Sequence, residues 1–215
     1  MVQRLAAWLL LTLFCLPAPW AKAADQPFKI VAMGDSLTAG FGLADAEAFP
    51  ARLAAALSTK GFAVAITNAG VSGDTAAGGL DRLDWSVPDG TDAVILELGA
   101  NDALRGLSPE LTKKSLDTIL GKLADRHIPV LLAGMRAPRN LGQEYTRQFD
   151  AIYPALASTH AVVFYPFFLE GVAADPKLNQ KDGLHPNPAG VAEIVKRILP
   201  QVEELMSRAR AARRS

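Results

Sequence analysis

Thiols are nearly absent from this chain. Its one cysteine, Cys15, lies in a first stretch built of a basic start at residues 1–4, an apolar run at 5–16 and a small-x-small site at Ala21-Lys22-Ala23. These are the parts of a secretory leader. The run is too short for a membrane span, which needs about 20 residues. Phe14 before Cys15 fits a lipoprotein site poorly, so no stable membrane anchor is expected. Cleavage after Ala23 leaves 192 of the 215 residues with no cysteine, which excludes disulfides. A chain of that length can bury a core without covalent staples, and export without cysteine suits a bacterial periplasm. The expectation is a periplasmic or secreted protein with one domain over 24–215, acting as a monomer.

Net charge is also missing. Arg4 and Lys22 fall in the leader, leaving 20 of the 22 basic residues against all 22 acidic ones. A nucleic-acid binder would need a basic face, so that class is excluded. Only three histidines occur, and none stands in a His-x-His or His-Glu-x-x-His spacing, so no metal site is expected. Gly40-Phe41-Gly42 lacks the third glycine of a dinucleotide fingerprint, since position 45 is Asp45. The glycines from 73 to 79 lack the lysine of a phosphate-binding loop. No cofactor is implied. Half of the residues are hydrophobic, so the chain is globular rather than disordered.

What is present is an alternation of short apolar runs with amphipathic segments. Strands are predicted at 28–33, 62–66, 93–98, 129–134 and 161–165. Helices are predicted at 46–60, 75–85, from Ser108-Pro109 onward, at 143–158 and from Pro188 to the end. Five strands alternating with helices predict a three-layer α/β/α sandwich on a parallel sheet. The tail at 208–215, with four arginines, reads as a frayed, solvated helix end.

Chemistry gathers where strands stop. Ser36 follows Gly34-Asp35 at the end of the first run, at the carboxyl edge where α/β proteins bind ligands. Alone it is an ordinary turn residue; as a nucleophile it needs a base. Asp182-Gly183-Leu184-His185-Pro186-Asn187 supplies one: an acid three residues before a histidine can orient the ring and stabilise the imidazolium formed on proton abstraction. His127 and His160 end predicted helices and read as structural, which leaves His185. Gly70 and Asn101 end two further strands, and with the backbone N–H of Ser36 they would make a three-donor oxyanion hole. Phe167, Phe168, Leu169 and Val172 precede the triad loop, where they would line an acyl groove or pack beneath the loop.

The blocks Gly34-Asp35-Ser36-Leu37, Gly70, Gly99-x-Asn101-Asp102 and Asp182-x-x-His185, in that order, resemble the GDSL or SGNH hydrolases over nearly the whole mature chain. The resemblance implies a flavodoxin-like sheet of five parallel strands, nucleophile Ser36, base His185, orienting Asp182, oxyanion donors Ser36, Gly70 and Asn101, and no metal. In the family the loop matching 75–79 moves over bound substrate; the two alanines and two glycines here would permit that motion or serve plain close packing. The substrates that the resemblance implies are aryl and short-to-medium acyl esters, lysophospholipids, acyl thioesters and acetylated sugars. The Gly-x-Ser-x-Gly elbow of α/β-hydrolases is absent, because position 38 is threonine. Two rivals keep the same residues: a thioesterase, and a non-catalytic periplasmic binding protein that would not need the Ser36 hydroxyl.

Overall fold

Strands buried on both faces carry continuous apolar runs, and three segments of this chain have that pattern. Ala93–Glu97 and Val130–Ala133 are buried at every position, and Phe28–Gly34 at all but Lys29. The computed structural model describes residues 26–212, so the leader at 1–23 lies outside the described residues. In chain order the elements are β1 (Phe28–Gly34), α1 (Ser36–Ala39), α2 (Phe49–Thr59), β2 (Val64–Gly70), α3 (Ala76–Asp81), α4 (Leu83–Ser86), β3 (Ala93–Glu97), α5 (Ala100–Leu104), α6 (Pro109–Asp125), β4 (Val130–Ala133), α7 (Gln143–Asp150), α8 (Ile152–Thr159), β5 (Val163–Tyr165) and α9 (Pro188–Ala212).

All strand pairs are parallel, in the order β2-β1-β3-β4-β5. This is the flavodoxin-like arrangement, whose switch point lies between β1 and β3. Helices α2 and α9 cover one face, with α3, α6 and α8 on the other. The apolar stripe of α9, from Val191 through Ile194, Ile198, Val202 and Leu205, is buried. The register places Gly34, Gly70, Glu97, Ala133 and Tyr165 in one row across the sheet. Every loop leaving that row therefore starts from the same edge.

Several local expectations shift. The second strand runs over 64–70 rather than 62–66, because it is an edge strand with one face open and its polar end still pairs with β1. The helix expected over 75–85 breaks at Arg82, and that over 143–158 breaks at Ala151. Residues 76–79 form the first turn of α3, with Ala76 and Gly79 buried. The described arginines of the tail are exposed, as expected, but the segment continues α9 to Ala212 rather than fraying. Arg210 lies over the rings of Phe28 and Phe62, each at 5.6 Å, and Arg208 donates to the Val162 carbonyl.

Candidate active site

Ser36 opens a single helical turn. Asp35 caps that turn, its Oδ1 accepting the Leu37 N–H at 2.9 Å, and Gly40 closes it in the left-handed region. The bend lifts the Ser36 hydroxyl off the end of β1 and into a cleft. There Ser36 Oγ lies 3.0 Å from His185 Nε2, and His185 Nδ1 lies 2.7 Å from Asp182 Oδ2. Asp182 Oδ1 accepts the backbone N–H groups of Leu184 and His185 at 2.9 and 3.0 Å. Those bonds, the His185 N–H foremost, hold the Asp182 carboxyl down at about 2, so it stays ionised through the physiological range. The three side chains expected to act together are in contact, across 149 residues of sequence.

Flanking groups fix the histidine loop. Gln180 receives nothing from chemistry but much from geometry: its N–H donates to the His185 carbonyl, and its Nε2 donates to Phe41 O at 2.7 Å and Pro186 O at 3.0 Å. The Phe41 ring packs on the imidazole, centroids 4.6 Å apart. Asn187 Oδ1 accepts the Ala189 and Gly190 N–H groups at 3.0 Å each and so caps the start of α9.

The oxyanion donors are rearranged from expectation. Gly70 packs beside the turn that carries Ser36, but its N–H is not free. Its N–H is taken by Asn68 Oδ1 at 3.0 Å, and it lines a separate shallow depression with Ala39 and Pro50. Its lack of a side chain serves packing instead, because a Cβ there would stand 2.2 Å from the Ala39 nitrogen. Three residues on, Gly73 takes φ +88, a region that favours glycine. Arg105 Nη2 holds the Gly73 carbonyl at 2.8 Å. Among the described residues the N–H groups of Gly73 and Ser36 have no hydrogen-bond acceptor. Asn101 sits at the cleft wall with both amide hydrogens engaged, by Asp35 Oδ2 at 3.0 Å and by Asp74 O at 2.9 Å.

Two buried acids lie beneath. Burial lifts the Asp35 carboxyl from 3.8 to about 6, against the lowering effect of its hydrogen bonds to Leu37 and Asn101. Glu97, fully buried on the neighbouring strand, is raised well above its ordinary value by burial and by the Asp35 charge. Its Oε2 accepts from Thr38 Oγ1 at 2.7 Å. Its Oε1 has no partner among the described residues.

The cleft holds about 720 Å³ and is walled by Leu37, Leu104, Met135, Phe167, Leu169 and Leu184, with Arg136 and Arg139 also on its lining. Phe167 and Leu169 thus face it as expected. Phe168 and Val172 do not. They are fully buried, Phe168 edge-on to Phe49 at 5.0 Å, because a bend that turns Phe167 and Leu169 outward turns the residue between them into the core. Arg82 escaped sequence reasoning altogether. It is 8% exposed and donates to Asp74 Oδ2 at 2.5 Å, Ala69 O, Ser86 Oγ and Gly34 O, tying together the ends of β1 and β2. An arginine inside a helical pattern gives no sign of such a place. Among the described residues no cluster of histidine, cysteine, aspartate and glutamate could hold a metal, and no helix is long and apolar enough to cross a membrane.

A hydroxyl, an imidazole and a carboxylate in series, opening on an apolar cleft at the switch point of a parallel sheet, define the class of serine-dependent acyl hydrolases. The comparisons make this specific. Residues 32–192 match the model of the GDSL-like Lipase/Acylhydrolase family, and the chain belongs to that family. It is 38% identical over 190 residues to an arylesterase of Vibrio mimicus, covering 86% of this chain and 93% of that one. It is 39% identical over 168 residues to the thioesterase 1/protease 1/lysophospholipase L1 of Escherichia coli K12, covering 78% of each. Among solved structures, AlinE4, an SGNH-hydrolase family esterase, superposes with a TM-score of 0.72 at 48% identity, covering 85% of this chain and 98% of that one.

Proposed function

We propose that this protein hydrolyses carboxylic esters through an acyl-enzyme on Ser36. The observation that carries the reading is the unbroken series Ser36 Oγ, His185 Nε2, His185 Nδ1 and Asp182 Oδ2, with separations of 3.0 and 2.7 Å. His185 takes the hydroxyl proton as Oγ bonds to the acyl carbon. The same proton passes to the leaving alcohol oxygen as the C–O bond breaks. Water then attacks the acyl-enzyme, giving its proton to His185, and Ser36 is released with the acid. Asp182, ionised throughout, holds the ring and balances the imidazolium.

The Ser36 and Gly73 N–H groups and the Asn101 amide receive the oxyanion, Gly73 standing where Gly70 was expected. The acyl portion lies against Leu104, Phe167 and Leu169, which suits aryl and short-to-medium acyl esters and, at the long end, lysophospholipids. A thioester would use the same groups and fits the thioesterase among the relatives. The leader composition supports a periplasmic or secreted site of action, where acyl-CoA is not expected, and so favours esters. The mature enzyme acts as a monomer with no cofactor. Purified Ser36→Ala assayed on an aryl acetate tests the reading. Turnover should fall at least about 10³-fold; wild-type turnover in the variant would refute the acyl-enzyme on Ser36, and no turnover by the unmutated protein would leave the binding-protein alternative. A panel of aryl esters from two to sixteen carbons, a lysophospholipid, an acyl-CoA and an acetylated sugar then separates ester from thioester preference.

A further inference from the structure

The Asn101 amide has two hydrogens, and in the free enzyme both are taken. To receive an oxyanion it must release one acceptor and keep the other. The two acceptors differ in kind. Asp74 O is a neutral carbonyl, whereas Asp35 Oδ2 belongs to a fully buried carboxyl group. Hydrogen bonds to an ionised acceptor are roughly twice as strong as neutral ones. The Asp74 bond is therefore the one that yields, and the Asp35 bond is the pivot that keeps the freed N–H aimed into the cleft.

We propose that Asp35 is the positioning residue of the oxyanion hole: through Oδ2 it holds the Asn101 amide, and through Oδ1 it caps the turn that carries Ser36, so one carboxylate sets nucleophile and oxyanion donor relative to each other. This rests on the acyl-enzyme reading above. Its neighbours bear it out. Glu97 on β3 faces the Asp35 N–H at 3.4 Å, Asp102 and Asn101 come from α5, and His185 comes from the last loop. Arg82 reaches the adjacent Gly34 carbonyl, but its charge is matched by Asp74. No cation among the described residues pairs with Asp35. The carboxylate thus depends on the Leu37 and Asn101 donors to stay ionised, which agrees with a pKa raised to about 6. A proton on Asp35 sets a hydroxyl against one of those two donors and loosens the amide.

The test is a double-mutant cycle with Asn101→Ala, read as kcat and KM on an aryl acetate. Asp35→Asn matches the carboxylate in size but presents an NH2 to one of the two donors. Asp35→Ser keeps a cap for Leu37 and cannot reach Asn101. Each should lower kcat about 10- to 100-fold with KM within about threefold, while Asn101→Ala lowers kcat about 10²- to 10³-fold. In the Asn101→Ala background, Asp35→Asn and Asp35→Ser should cost less than about threefold more, because the group they act through is gone. The acid limb of the wild-type kcat profile should contain two protonations, and that of Asp35→Asn only one. Multiplicative losses in the double variants, an effect confined to KM, or wild-type kcat in Asp35→Ser would overturn the proposal. Ser36→Ala in the same series separates the two readings. An active Ser36→Ala refutes the acyl-enzyme, whereas an inactive one beside multiplicative losses refutes only the role of Asp35.

Discussion

Replacing Arg82 should damage both the fold and the rate, and by different routes. The guanidinium is nearly buried and makes four contacts: the Asp74 carboxylate, the Ser86 hydroxyl and the carbonyls at the ends of β1 and β2. Arg82→Met fills similar volume but takes the guanidinium donors away from a largely buried carboxylate and two carbonyls, of which Gly34 O keeps the Val71 N–H. Breaking a buried pair from one side costs about 3–5 kcal/mol. A domain of this size shifts about 2–4 °C in Tm per kcal/mol, so the melt should fall by about 6–20 °C. Arg82→Lys keeps the charge and loses the planar fork, so it recovers only part of this. The rate should drop as well, well below either melting temperature. One arm of the fork holds Gly34 O, next to Asp35-Ser36, and another holds Asp74, next to Gly73. Circular dichroism melts together with aryl acetate turnover at 20 °C read both effects. An Arg82→Lys protein melting within about 1 °C of wild type, with unchanged kcat, would refute the view that this fork sets the loop geometry.

Two more outcomes follow from buried groups. Glu97 holds its proton above the range in which an unfolded glutamate releases it. Its contribution is thus fully present below the unfolded pKa of about 4.3 and is lost as pH rises toward the folded value. Glu97→Gln cannot titrate, so it should match wild type most closely near pH 4 and gain on it toward pH 8 in urea midpoints. A pH-independent difference would contradict the assignment of a neutral Glu97. In the cleft wall, Leu169→Trp should shift the preferred acyl chain to shorter lengths at little cost in stability. Phe168→Ala should cost about 3–5 kcal/mol and leave chain preference alone. The reverse pattern in a p-nitrophenyl ester series would show that the two side chains had been assigned to the wrong sides of the loop.

The sequence carried the fold well because parallel strands advertise themselves. β1, β3 and β4 are apolar at nearly every position, and each ends in glycine or polar residues. Ser36 and Asp182-x-x-His185 were legible for a related reason, since each stands in a short segment with its own turn chemistry. The misreadings share a different cause. Choosing Gly70 over Gly73 depends on where β2 ends, and an edge strand with mixed burial does not mark its end. Phe168 differs from its neighbours only in the direction it points, which a bend decides and composition does not. Asp35 and Arg82 look like surface charges because some of the partners that place them are distant in sequence, Asn101 lying 66 residues from Asp35 and Gly34 48 from Arg82.

The acyl-enzyme is tested most directly by covalent capture. Incubation with an aryl phosphonate fluoride, followed by intact mass and peptide mapping, should show one adduct per chain, on Ser36. Labelling should slow by orders of magnitude in His185→Ala, which lacks the base 3.0 Å from the hydroxyl. An adduct on another residue, or labelling of His185→Ala at the wild-type rate, would contradict the account at its centre.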